Sequence, residues 1–159
     1  MRLIHYSAEP FNFEHRRVEQ PEAASFPMKP QGLWVSVKGE TDWAEQGREM
    51  FGDGGFHYAS LIELTADANI LRLSSVRQID SFTEQYRCAA DPRFPSISGS
   101  MIDWRRVAEQ YQGIIIAPYQ FERRLTPHTF WYYGWDCASG CIWNTAAVAS
   151  VEALVEDVA

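Results

Sequence analysis

The sequence predicts an α+β fold. Three features carry that prediction: short apolar runs at strand length, two amphipathic segments with helical spacing, and no strict β-α-β rhythm between them. There is also no glycine-rich strand-to-helix turn of the dinucleotide-binding type and no phosphate-binding P-loop. A doubly wound parallel sheet is therefore not expected.

Leu3 to Tyr6 is a short apolar run suited to a first strand. Residues 7–31 follow with Pro10, Pro21, Pro27 and Pro30, a density that forbids a long helix. Leu33 to Val37 reads as a strand. Thr41 is placed to cap a short helix running to Met50, and Phe51 to Gly55 turns the chain. Phe56 to Leu64 and Asn69 to Leu73 read as strands split by a turn at Thr65–Asp67.

Ser75 is a candidate N-cap for a helix over residues 76–88, where Val76, Ile79, Phe82 and Tyr86 recur at helical spacing. Ser100 is placed to cap a second helix carrying Ile102, Val107, Ala108 and Tyr111, which Gly113 ends. Ile114 to Ala117 then reads as a buried strand, Thr129 to Trp135 as an aromatic strand-like stretch, and Cys141 to Trp143 as another short apolar piece. The periodic apolar residues from Ala146 to Val158 form a helix or strand that covers the core.

Composition bounds the function. The chain has 159 residues, 46% hydrophobic and 22% charged, which is ordinary for one globular domain spanning 1–159 and unlike a disordered segment. Aromatics reach 14% with six tryptophans, enough that some are expected to line a cleft. The net charge of −7, with Lys29 and Lys38 the two lysines, argues against nonspecific nucleic-acid binding, where phosphate neutralisation supplies the affinity. An odd set of three cysteines, an N-terminus without an apolar leader and no run near membrane-spanning length predict a soluble cytoplasmic protein with reduced thiols and no membrane association.

The residues that could carry chemistry are few. His5, His15, His57 and His128 are scattered, and no pair has metal-ligand spacing. Cys137 and Cys141 lack a second ligand pair, so no metal is expected. His5 alone reads as a hydrogen-bonded strand residue. Asp136 stands between Trp135 and Cys137, where an unpartnered carboxylate would be costly. It either accepts backbone N–H groups of the Ser139–Gly140 turn or serves a function. Glu122, beside Arg123 and Arg124, is expected to pair with an arginine.

The order of short motifs adds a family likeness. His5-Tyr6-Ser7 opens the chain, Gly32-Leu33-Trp34-Val35-Ser36 follows a long connection, and Tyr111 to Ile116 precedes Trp135-Asp136-Cys137-Ala138-Ser139-Gly140-Cys141-Ile142-Trp143. This order resembles the ADP-ribosyltransferase-like superfamily, especially its small phage-type members, which include anti-CRISPR ADP-ribosyltransferases. The resemblance implies short-stranded mixed or antiparallel sheets forming a split NAD-binding cleft with peripheral helices. It implies transfer of ADP-ribose from NAD to a protein or nucleic-acid acceptor, or hydrolysis of NAD. It assigns the catalytic carboxylate to Asp136, ribose binding to His5, polar contacts to Ser7 and Ser36, stacking on the nicotinamide to Trp34 or Tyr6, and an NAD-holding strand to Gly32 and its neighbours. Such a carboxylate would stabilise the oxocarbenium-like centre formed when the bond between nicotinamide and ribose breaks. The sequence departs from the familiar pattern in carrying Asp136 where a Glu is common and Tyr6 where a small residue is common. Two other readings stand beside this one: a non-enzymatic interaction protein of phage or accessory type, and a sugar-binding module using its tryptophans as platforms.

Overall fold

The computed structural model describes residues 1–39, 43–44 and 56–154. Its strands are β1 (Arg2–Ser7), β2 (Leu33–Lys38), β3 (Tyr58–Leu64), β4 (Ile70–Leu73), β5 (Gly113–Ile116), β6 (Ser139–Ile142) and β7 (Val148–Leu154). They join one sheet in the order β4-β5-β6-β2-β1-β3-β7, antiparallel throughout except for the parallel β4–β5 pair. The helices are α1 (Val76–Tyr86), α2 (Trp104–Gln110) and the single turn α3 (Phe121–Arg124). Tight 3₁₀ segments fill Ala23–Ser25, Ser98–Ser100, Pro127–Gly134 and Thr145–Ala147. The α+β class is thus observed. The helix expected over 41–50 and the turn over 51–55 lie outside the described residues, apart from Trp43 and Ala44, which are helical.

Helix α1 forms as its pattern requires. Ile79, Phe82, Thr83 and Tyr86 are its buried residues, at the spacing of one helix face. The Ser75 hydroxyl accepts from Gln78 N at 3.3 Å, and the Gln78 carboxamide accepts in return from Ser74 N at 2.7 Å. Helix α2 starts later than expected. Asp103, not Ser100, caps it by accepting from Arg106 N at 3.3 Å. The reason is tertiary: Cys88 N donates to Met101 O and Asp103 N to Tyr86 O, both at 2.8 Å. These bonds hold residues 101–103 extended against the end of α1, so the helix begins only beyond them.

The stretch expected as a strand over 129–135 is a 3₁₀ segment instead, opened by Pro127. Its register sends Thr129, Trp131 and Tyr132 inward, followed by Trp135. The Thr129 hydroxyl bonds Arg123 O at 2.7 Å, and Trp131 Nε1 donates to the Thr83 hydroxyl at 2.9 Å. Side-chain hydrogen bonds and ring packing therefore hold this aromatic run to the sheet, and no strand pairing is involved.

The sheet separates two cores. On one face α1, α2 and the 3₁₀ segment bury Ile79, Phe82, Trp104, Val107, Trp131 and Trp135 against Ile114, Ile116 and Cys141. On the other face Leu3, Val35, Val37, Ile62, Ile115 and Ile142 pack under a thin cover that includes Phe11, Phe13 and Tyr119. The tryptophans expected at a cleft are mostly core: Trp104, Trp131, Trp135 and Trp143 are essentially fully buried. The sheet also curls. A flat sheet would set β4 and β1 roughly 19 Å apart across three intervening strands, yet Arg72 Nη1 of β4 reaches Met1 Sδ at 3.3 Å.

Close strand packing fixes Gly140 on β6. A Cβ there would lie 2.5 Å from Ile114 O and 2.7 Å from Ile115 Cγ1. Gly140→Ala should destabilise the protein by about 1–3 kcal/mol, the usual cost of overpacking. Gly99→Ala, where a Cβ meets nothing within 4 Å, should leave the melting temperature unchanged. Equal melting temperatures for the two variants would refute this account of Gly140.

Candidate functional site

Strand alternation sorts the candidate residues by face. In β1, Leu3, His5 and Ser7 point one way and Ile4 and Tyr6 the other. Ile4 pairs with Ser36 in β2, so Trp34 and Ser36 share the face of Ile4 and Tyr6. His5 and Ser7 therefore lie on the thin-cover face, while Tyr6, Trp34 and Ser36 lie on the opposite one. A single cleft gathering His5 and the Trp34 ring is not what the register builds. What joins them is main chain: His5 Nδ1 lies 2.8 Å from Trp34 O.

That bond defines the imidazole. A carbonyl only accepts, so Nδ1 carries the proton and Nε2 presents its lone pair. Burial lowers the His5 pKa below its usual value, and the hydrogen bond to Trp34 opposes this without reversing it. His5 is thus a neutral, oriented acceptor, with the Phe11 ring tilted against it at 4.2 Å. Among the described residues no hydrogen bond engages Nε2. Next to His5, the Ser7 hydroxyl donates to Glu9 O at 2.8 Å.

The residues on the other face have structural occupations. Ser36 is fully buried and its hydroxyl accepts from Trp43 N at 3.2 Å. Tyr6 packs its ring 6.0 Å from Phe56. The half-buried Trp34 ring meets Trp135 at 4.9 Å and Trp43 at 5.8 Å, with the Lys29 ammonium 5.2 Å from its centroid. Gly32 is required by strand packing: a Cβ there would stand 2.5 Å from Ile142 O.

Asp136 neither stands alone nor caps the Ser139–Gly140 turn by any hydrogen bond among the described residues. Its Oδ1 accepts from Arg124 Nη2 at 2.8 Å, in a pair whose side chains are 29% and 32% exposed. Oδ2 has no hydrogen bond among the described residues. The Arg124 guanidinium sits 5.5 Å from the Tyr133 ring, and Tyr119 donates its hydroxyl to Trp135 O at 2.6 Å. Burial first, then the nearby Asp136 charge, raise the Tyr119 pKa against the pull of Arg124. Arg123 makes a two-pronged bridge to Asp80 at 2.7 and 2.8 Å, which holds the Asp80 carboxyl below its usual range. The two arginines beside Glu122 thus pair with Asp80 and Asp136. Since Arg2 pairs with Lys38, Asp136 lies beyond the Arg2 end of β1, on the order of 10 Å along the strands from His5.

Comparison with protein-family models, with curated proteins and with solved structures returned no match. A functional reading of this chain therefore rests on its own side chains.

Cys88 and Cys141 are poor nucleophiles. All three cysteines are free and buried; burial pushes the Cys88 thiol up to about 11 and the Cys141 thiol well above its usual value. Among the described residues no three His, Cys, Asp or Glu side chains converge as metal ligands, and no helix is long and apolar enough to cross a membrane.

Two features escaped sequence reasoning. One is an open cavity of about 490 Å³ bordered by Arg2 and Arg72. The other is a run of exposed apolar side chains, Phe121, Leu125, Phe130 and Tyr133. The aromatic composition of 129–135 signalled the second, but which rings face outward follows from the 3₁₀ geometry of 127–134 and not from the strand expected there. Nothing local signalled the first, because its arginines are 70 residues apart in the chain.

The His5 geometry sets a pH dependence. The unfolded chain takes up a proton at His5 near pH 6.5, whereas the folded chain resists until a lower pH, so stability falls as pH drops from about 6.5 through the folded value. His5→Asn should flatten urea-unfolding free energies across that window; an unchanged pH slope would remove His5 as its source. Arg124→Gln and Asp136→Asn should each destabilise modestly, with a double-mutant coupling of about 1 kcal/mol or less for so exposed a pair. Strictly additive losses would show that the bridge contributes nothing.

Proposed function

We propose that this protein binds NAD and acts as an ADP-ribosyltransferase-like enzyme, delivering ADP-ribose to a macromolecular acceptor or to water. The observation that carries the reading is the His5 imidazole: neutral, locked by its Nδ1–H on Trp34 O, and offering Nε2 beside the Phe11 ring. A fixed acceptor next to an aromatic surface suits a ribose hydroxyl and the base attached to it. The Nδ1 bond is of the structural kind that strand histidines commonly make, and it leaves Nε2 without a hydrogen bond among the described residues.

In this reading Asp136 supplies the negative charge. Arg124 orients it through Oδ1, and Oδ2 faces the positive charge that develops at the ribose C1′. The C1′–nitrogen bond breaks, nicotinamide leaves with the electron pair, and the acceptor oxygen or nitrogen bonds C1′ as it loses a proton. The separation of His5 from Asp136 along the strands suits an extended dinucleotide better than a single nucleoside.

Saturating NAD, at 100 times its dissociation constant, should stabilise wild type by about 2.7 kcal/mol, visible as a rise in melting temperature that His5→Ala abolishes. Asp136→Asn should keep that shift and lose about 10²–10³-fold in NAD turnover. Absence of a shift in wild type, or an equal shift in His5→Ala, defeats the reading.

A non-enzymatic interaction role is the second reading. It is favoured by Phe121, Leu125, Phe130 and Tyr133, which are 65%, 71%, 41% and 45% exposed within thirteen consecutive residues. Under it, a Phe121→Ser/Leu125→Ser variant loses a protein partner in pull-downs, and wild type gives no response to NAD.

A further inference from the structure

The exposed rings between β5 and β6 are joined to Asp136 through their neighbours. Arg124 Nη2 donates to Asp136 Oδ1 at 2.8 Å, and the same guanidinium lies 5.5 Å from the Tyr133 ring. Tyr133 in turn stacks on Phe130, with ring centroids 5.9 Å apart and planes 17° from parallel. Tyr119 feels the charges of both Arg124 and Asp136, donates its hydroxyl to Trp135 O, and meets the Phe121 ring edge to face at 6.5 Å. The Asp136 carboxylate is therefore linked, through Arg124 and Tyr119, to two aromatic pairs whose outer rings, Phe130 and Phe121, are exposed.

This surface is held in place by its own polar bonds. The Thr129 hydroxyl bonds Arg123 O, Gln120 N donates to the Tyr132 hydroxyl, and Arg123 bridges to Asp80. Rings fixed in this way lose little conformational entropy on binding, which makes exposed aromatics effective anchors for a partner. The charge of the surface is acidic on balance. Arg123 and Arg124 are each neutralised by a carboxylate, whereas the exposed Glu122, next to Phe121, has no ion pair among the described residues. Lys29 packs along Gly134 but directs its ammonium to the Trp34 ring. In a chain of net charge −7, such a surface is poorly suited to a phosphate backbone and favours a partner with basic groups.

We propose that this surface docks the acceptor, and that the acceptor is a protein segment carrying apolar side chains beside basic ones, not a nucleic acid. The apolar side chains cover Phe121 and Phe130, a basic residue meets Glu122, and a hydroxyl or amine of the docked segment is brought to Asp136. There its oxygen or nitrogen bonds the ribose C1′ and releases a proton to solvent, while nicotinamide leaves with the electron pair of the broken C1′–nitrogen bond. The transfer half of this inference rests on the NAD reading, while the docking half stands on the exposed rings and Glu122.

Fluorescence anisotropy tests it with a labelled amphipathic peptide of leucine, lysine and serine, about fourteen residues or four helical turns long. The comparators are a leucine–glutamate–serine peptide of the same spacing, a lysine–serine peptide without leucine, and a short single-stranded DNA. Wild type should bind the leucine–lysine peptide about ten-fold more tightly than any comparator, and Phe121→Ser/Phe130→Ser should lose about ten-fold in that affinity. Both positions are exposed, and melting curves verify folding. Glu122→Gln, which leaves every ring in place, should lose about three-fold, a difference that added salt removes. With NAD labelled in its adenosine half, wild type should label the leucine–lysine peptide and none of the comparators. Preference for DNA or for the glutamate peptide, equal binding of the peptide without leucine, or full affinity in the folded double variant overturns the dock. NAD turnover without binding of the leucine–lysine peptide overturns the dock and leaves the NAD reading intact. Binding of that peptide without any NAD turnover defeats the NAD reading and upholds the docking half. A peptide that binds but stays unlabelled while NAD is consumed overturns the acceptor role.

Discussion

The rest of the structure hangs on the packing of four buried indoles, Trp104, Trp131, Trp135 and Trp143, against one face of the sheet. They meet edge to face or tilted, with Trp104 5.7 Å from Trp131 and 6.5 Å from Trp143, and Trp131 6.3 Å from Trp135. Each ring must also place an N–H donor in an apolar core. Trp104 finds Pro27 O, Trp131 the Thr83 hydroxyl, and Trp143 Tyr111 O. Those bonds tie the 7–31 connection, helix α1 and the end of α2 to the core, so indole satisfaction sets the position of the surrounding layers. Trp135 Nε1 alone in the cluster finds no acceptor among the described residues, and its ring stands against Trp34 instead.

This packing makes the two faces of the sheet unequal. The indole face is thick, helical and closed. The opposite face carries a thin cover, in which Phe11 and Phe13 approach from an irregular connection and His15 locks its end by bonding Thr145 O at 2.9 Å. An incomplete cover leaves side chains such as His5 and Arg72 at the edges of an apolar floor. Ligand sites combine that sort of floor with a few directed polar groups, which places the candidate ligand-binding groups on the thinner side.

Charge pairing organises the segment between β5 and β6. Arg123 ties α3 to α1 through Asp80, and Arg124 ties it to Asp136 just before β6. Gln120 N donates to the Tyr132 hydroxyl at 3.0 Å and Tyr119 to Trp135 O. The same segment that presents Phe121, Leu125, Phe130 and Tyr133 outward is thereby anchored at both ends. Its polar side chains hold the position, and its exposed apolar ones contact one another and Arg124 at the surface.

By itself, the sequence determined the local features of this protein. Short apolar runs marked β1, β2 and β3, helical spacing marked α1 with its Ser75 cap, and the run Ile114–Ile116 marked a buried strand, because each depends on residues a few positions apart. It misplaced the α2 cap, which bonds between residues 86–88 and 101–103 decide, and the 127–134 segment, whose rings follow their contacts in the indole core. It also singled out His5 and Asp136, but not how they are held: the partner of Asp136 is Arg124, twelve residues away, and that of His5 is a carbonyl on the next strand. Which candidates share a face was decided only in three dimensions. Side chains alternate with period two, so the parity of the β1–β2 register puts His5 on one face and Trp34 on the other, and a slip of one residue would reverse it. That register belongs to the pairing of Ile4 with Ser36, which neither strand specifies alone.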